Sequence, residues 1–181
     1  MYSQNFERAV RETLYLEGVF SDDSQDPGGK TKYGITEGTW RVFRQDRDLS
    51  LPKEVENITV SQATDVYYYD FWCKLGLDKM FDKYVAAEVF DSAVNCGPGT
   101  GAKMLQRAIN YCRREGWDRI AVDGQIGPQT RLAVDRLVSA GHRLPLLEAC
   151  NGEQYIHYRG LDKPRYSRGW TRRLAIAKEL G

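Results

Sequence analysis

Three residues near the N-terminus are of types able to break a glycosidic bond: Glu17, Asp26 nine residues later, and Thr31 five residues after that. Such hydrolysis needs an acid to protonate the leaving oxygen. It also needs a second group, usually a carboxylate, to supply or steady the nucleophile. Glu17 follows Leu14 and Leu16, precedes Val19 and Phe20, and stands at the C-terminal end of an expected helix. Apolar surroundings and the negative end of the helix dipole both disfavour its ionisation, as a general acid working near neutrality requires. Asp26 lies in a polar, glycine-rich stretch where ionisation is easier, and the Thr31 hydroxyl is suited to hold a water. Spacing alone does not choose this reading. With 25 acidic residues in the chain, Glu17 as an exposed helix-end carboxylate and Asp26 as a turn former are the readings that the spacing by itself favours.

The elements that must position these groups are mostly helical. Phe6, Val10 and Leu14 recur every four residues, which predicts a first helix from about residue 3 to Leu16 or Glu17, ended by Gly18. Periodicity then vanishes, and Asp26-Pro27-Gly28-Gly29 reads as a tight turn between short extended segments, a small β-hairpin. Thr36 is placed to cap a second helix and Ser61 a third. Further helices are expected at about 83–95, 100–116, 128–140, 143–158 and 165–179. The Gly127-Pro128 pair marks the clearest start, and Gly141 closes that helix.

Composition narrows the function classes. Hydrophobic residues make up 41% and charged residues 28% of the 181, an ordinary globular balance with one sizeable core or two small lobes. A formal net charge of +1 gives no electrostatic case for nucleic acid or an anionic membrane as partner. No apolar run is long enough to span a bilayer, and no secretory signal is expected. The four cysteines, Cys73, Cys96, Cys112 and Cys150, form no CxxC and are expected to be reduced thiols, with a later disulfide the alternative. With His142 and His157 the only histidines, a zinc site is not expected, and neither is any organic cofactor.

The string LEGVFSDDSQDPGGKTKYGIT resembles the signature of glycoside hydrolase family 108, the muramidases encoded by phages and bacteria. That pattern runs E-G-G, a polar stretch, D-P-G-G-x-T and Y-G-I-T. Glu17 falls on the family's catalytic Glu, and Asp26 and Thr31 on its Asp and Thr. Val19 departs from the usual second glycine and removes no reacting group. Downstream, VYYYDFW resembles the family's aromatic segment, with Phe71 where Tyr is common, and FDSAVNCGPGTGAKMLQRA resembles its F-D-x-A-V-N-x-G block. The resemblance covers most of the chain. It implies a mainly α (α+β) lysozyme-like fold of two lobes, with a small β-hairpin beside the active-site cleft and a helical C-terminal lobe. The division is expected at 1–90 and 91–181.

The implied substrate is the glycan strand of bacterial peptidoglycan, and the implied reaction is hydrolysis of its muramic acid–glucosamine bond with inversion. Glu17 would act as acid, with Asp26 and Thr31 on the water or the developing charge. Tyr33 stands beside the active turn. Tyr69 and Trp72 lie three apart on one helix, where stacking on sugar and core packing are equally open readings. Asn95 either bonds an N-acetyl group or caps a helix. AVDGQIGPQTRLAV resembles the D-G-x-x-G-P-x-T string of peptidoglycan-binding modules, although a turn and a helix start explain the same residues. Arg165, Arg168, Arg172 and Arg173 fit either anionic wall polymer or a solvated helix face.

A lytic transglycosylase would need no second carboxylate. A wall-binding or secretion-accessory protein would need no acid at all. A Cys–His peptidase would have to draw on Cys96 or Cys150 with His142 or His157. A monomer is expected, made in the cytoplasm and reaching the wall through a holin lesion or an export route.

Overall fold

The computed structural model describes residues 2–17, 20–21 and 29–176. The chain divides into two compact units, residues 1–74 and 75–181. The expected division at residue 90 falls inside a helix of the second unit.

In the first unit, helix α1 (Gln4–Glu17) buries Phe6, Ala9, Val10 and Thr13. The expected line Phe6–Val10–Leu14 drifts off this face because steps of four overshoot the 3.6-residue turn. Thr13 is therefore buried, and Leu14 only half-buried. The Phe6 ring meets Tyr2, Tyr68 and Trp72 at centroid distances of 5.2, 5.0 and 5.5 Å, all edge-on. Three two-residue strands follow, β1 (Phe20–Ser21), β2 (Thr31–Lys32) and β3 (Ile35–Thr36), antiparallel in that order. The expected hairpin is β1–β2. The third strand was not expected, because Tyr33-Gly34 is not one of the usual hairpin dipeptides.

Thr36 caps α2 (Glu37–Arg47), its hydroxyl accepting from the Thr39 N–H. On α2, Trp40 and Phe43 are buried and stacked at 5.7 Å. The Trp40 indole donates to the Pro52 carbonyl at 2.8 Å, tying down the connection that follows. Helix α3 (Val60–Val66) starts at Thr59 and not Ser61. Thr59 and Gln62 form a reciprocal capping box, satisfying two terminal N–H groups where Ser61 would satisfy one. The helix widens into a π-helical segment, Tyr67–Cys73.

The second unit is helical: α4 (Lys83–Cys96), α5 (Pro98–Cys112), α6 (Pro128–Ser139), α7 (Arg143–Gly160) and α8 (Pro164–Ile176). Asp82 caps α4 through Oδ1, accepting from the Tyr84 and Val85 N–H groups. Its Oδ2 accepts from Arg143 Nε at 2.6 Å, which joins the starts of α4 and α7. Gly97 turns α4 into α5 with φ 87°, and Pro98 opens the new helix. The two helices then cross closely, since a Cβ on Gly101 would stand 2.8 Å from the Ala93 backbone nitrogen. The mainly α architecture with one small antiparallel sheet is the one expected. No disulfide joins the four cysteines, and no helix among the described residues is long and apolar enough to cross a membrane.

The carboxyl of Glu88 lies within this helical core. Glu88 on α4 is 6% exposed. Burial, and secondarily the nearby Asp91, push its pKa from an ordinary 4.5 up to about 8. Below pH 4.5 the carboxyl is protonated in both folded and unfolded chains. Between 4.5 and about 8 only the unfolded chain ionises, so stability falls with rising pH by about 1.4 kcal/mol per unit. Glu88→Gln should flatten this slope in urea unfolding at pH 5 and pH 8, the variant gaining on wild type at the higher pH. Gly101→Ala should lower stability by about 1–3 kcal/mol at either pH, because backbone must move to admit the methyl group.

Candidate active site

Glu17 is the last residue of α1, and its side chain lies outside the described residues, as does all of Asp26. The elements around them are described. Strand β1 begins three residues after Glu17 and pairs Phe20 with Lys32 and Ser21 with Thr31. The chain therefore returns from the Asp26 segment alongside the residues that leave Glu17. Among the described residues, the Thr31 hydroxyl makes one long bond, 3.4 Å to the Gly29 carbonyl. Such weak engagement leaves it capacity for a water or a substrate hydroxyl.

Two basic side chains hold β2 in place. Lys30 Nζ lies 2.9 Å from Glu56 Oε1, and Lys32 Nζ donates to the Glu56 backbone carbonyl at 2.6 Å. The Lys30 hydrogen bond holds the Glu56 carboxyl below the usual range. Nothing in the sequence singled out Glu56. Its only local signal is to lie in the segment between α2 and α3, and its partners are 24 and 26 residues earlier.

Tyr33 has φ 51° and Gly34 φ 77°, both left-handed, as a two-residue turn of type I′ requires. Glycine adopts this conformation freely, whereas tyrosine is strained there. The strain is borne by a specific contact: the hydroxyl of Tyr67, fully buried, donates to the Tyr33 carbonyl at 2.8 Å. The half-buried Tyr33 ring lies 5.4 Å from Lys32 Nζ, a cation–π contact at the hairpin tip. Thr31 and Tyr33 are thus brought together on one hairpin.

The pair Tyr69 and Trp72 is separated. Trp72 is 0% exposed and packs against Phe6, so its ring offers no face to a sugar, and its expected groove role is corrected to a core role. Tyr69 is 41% exposed. The expected shared face fails because the π-helical winding turns each residue through a smaller angle than an α-helix does. The outer face of Tyr69 is engaged by the Arg47 guanidinium, 4.2 Å from the ring centroid, which also approaches Asp70 at 3.6 Å.

Asn95 belongs to the second unit and neither caps α4 nor stands unengaged, since its amide donates back to the Asp91 carbonyl at 2.7 Å. The D-G-x-x-G-P-x-T string is a polar lock: Asp123 Oδ1 accepts from Gln106 Nε2 at 2.7 Å and from the Gln125 N–H at 2.8 Å. Arg165 and Arg168 are exposed on α8, while the Arg172 and Arg173 side chains lie outside the described residues. No group of three or more His, Cys, Asp or Glu able to hold a metal occurs among the described residues. Tyr67→Phe should cost about 1 kcal/mol in thermal unfolding. It should lower the turnover of the folded protein more than that loss accounts for, because the turn next to Thr31 loosens.

Comparison with known proteins agrees with this layout. Residues 10–97 match the family described as glycosyl hydrolase 108, and residues 100–175 match a predicted peptidoglycan domain. The boundary falls at the Gly97-Pro98 turn, inside the second compact unit, so α4 of the hydrolase region packs with α5 and α7 of the other. No curated protein matches the chain. Among solved structures, SagA of Brucella abortus superposes with a TM-score of 0.77 at 28% identity, over 96% of this chain and 91% of that one. Residues 10–97 belong to glycosyl hydrolase family 108 and residues 100–175 to a predicted peptidoglycan domain, and the chain is accordingly a glycoside hydrolase that acts on peptidoglycan.

Proposed function

We propose that the chain is an N-acetylmuramidase that hydrolyses the β-1,4 bond between N-acetylmuramic acid and N-acetylglucosamine. The observation that carries this reading is the family match over residues 10–97, which spans Glu17, Asp26 and Thr31 together. Glu17 protonates the leaving oxygen. Asp26, with Thr31, orients the attacking water or stabilises the positive charge that develops on the sugar. The β1–β2 pairing supports a shared site, since it returns Thr31 to Ser21, four residues beyond Glu17. Tyr33 and Tyr69 supply rings for sugar contact in this scheme. The water attacks the face opposite the leaving group, and the anomeric configuration inverts. The protein works on the cell wall as a monomer after release through a holin lesion or an export route.

Mass spectrometry of muropeptides released from purified sacculi tests the reading. Wild type should yield reducing-end muramic acid, and Glu17→Gln should lower the yield by about 10²–10⁴-fold. Products with 1,6-anhydro ends would identify a transglycosylase instead. Retention of configuration in the first-formed product, followed by proton NMR, would remove the inverting assignment.

A further inference from the structure

The segment that follows α5 runs back along that helix and is fixed by two buried amides one turn apart. Asn110, 3% exposed, donates to the Ile120 carbonyl and accepts from the Ile120 N–H, both at 2.9 Å. Gln106, 1% exposed, donates to the Gln125 carbonyl at 3.0 Å and accepts from the Gly124 N–H at 2.9 Å. Buried amides that are fully engaged hold backbone rigidly. The loop so fixed carries the half-buried Trp117 to the flank of α6.

Two adjoining cavities, of about 280 and 650 Å³, share Trp117, Leu132 and Arg136 as walls. Leu132 is 52% exposed, an apolar side chain open beside the indole. Arg113 and Arg119 line the smaller cavity, and among the described residues neither Arg119 nor Arg136 forms an ion pair. A ligand that satisfies these walls has a flat apolar face for the indole and a carboxylate for the guanidinium groups.

We propose that this groove is a peptidoglycan-holding subsite that takes a sugar ring together with the carboxylates of its attached stem peptide. A pyranose presents the flat face, and the stem peptide presents the anions. The groove lies wholly within the region matched to a predicted peptidoglycan domain. Its role is to keep the enzyme on the insoluble polymer between cleavages. The proposal rests on peptidoglycan as substrate and is independent of the identity of the acid.

Co-sedimentation of the full-length protein with purified sacculi, beside its rate on short soluble glycan fragments, tests this. Trp117→Ala should weaken sacculus affinity about tenfold, the effect of one well-packed aromatic anchor. Its rate on short fragments should stay unchanged. Arg119→Gln with Arg136→Gln, both at exposed positions, should weaken binding in low salt and blunt its salt dependence. Those substitutions should have no effect on binding to chitin, whose rings carry neither a lactyl carboxylate nor a stem peptide. Unchanged sacculus affinity in the folded double variant overturns the proposal, as does equal binding of chitin and intact sacculi by wild type. Should Trp117→Ala prove unfolded by circular dichroism, the double variant decides alone. An active Glu17→Gln would remove the assigned acid and leave this subsite standing, whereas loss of sacculus binding only on Glu17→Gln would do the reverse.

Discussion

The hydrogen bond from the buried Tyr67 hydroxyl to the Tyr33 carbonyl is the contact on which the catalytic region depends. It couples a helix interior to the tip of a hairpin whose strands are only two residues long. Strands that short cannot fix their own register, because each pairing offers too few ladder bonds and too little buried side chain. Register is imposed from outside instead. Tyr67 holds the left-handed turn, Glu56 holds Lys30 and Lys32, and Thr36 ends the sheet by capping α2. Thr31 inherits its position from these three neighbours and contributes little to them.

The helical unit solves a different problem, that of bringing helices close without voids. Gly101 lets α5 approach the α4 backbone at Ala93, and Gly97 with Pro98 makes the reversal short enough for the two to pack at once. The side of α4 that faces these neighbours is buried, and burial keeps Glu88 neutral in the folded chain at mild pH. The family boundary runs through this same turn. The helical core is therefore built from both matched regions, and neither has a complete hydrophobic interior without the other.

Much of this was legible in the sequence. Helix starts at Thr36 and Pro128 and the end at Gly141 follow from residues with strong local preferences, and local preferences are what a single sequence displays. The errors share a cause: they concern which side of an element faces inward. Leu14 and Thr13 exchange roles because the stripe was counted in fours. Tyr69 and Trp72 part company because an α-helical spacing was applied to a π-helical segment, whose winding is set by tertiary packing. Glu56 and Gln106 were invisible for the same reason, since each is defined by partners far away in the chain. The proposed trio of Glu17, Asp26 and Thr31 was legible only as a pattern of types and intervals, and the local chemistry of Glu17 alone did not separate an acid from a helix-end carboxylate.

The loop after α5 is gripped almost entirely by its main chain. Asn110 and Gln106 bond to the amides and carbonyls of Ile120, Gly124 and Gln125, and within the loop they engage the side chain of Asp123. A loop held in that manner can change its surface residues without losing its path. Related chains could thus exchange Trp117 and its arginines for other groups as wall chemistry differs between bacteria, at small cost to folding. The same property makes this stretch a ready place to graft a new recognition surface onto the enzyme.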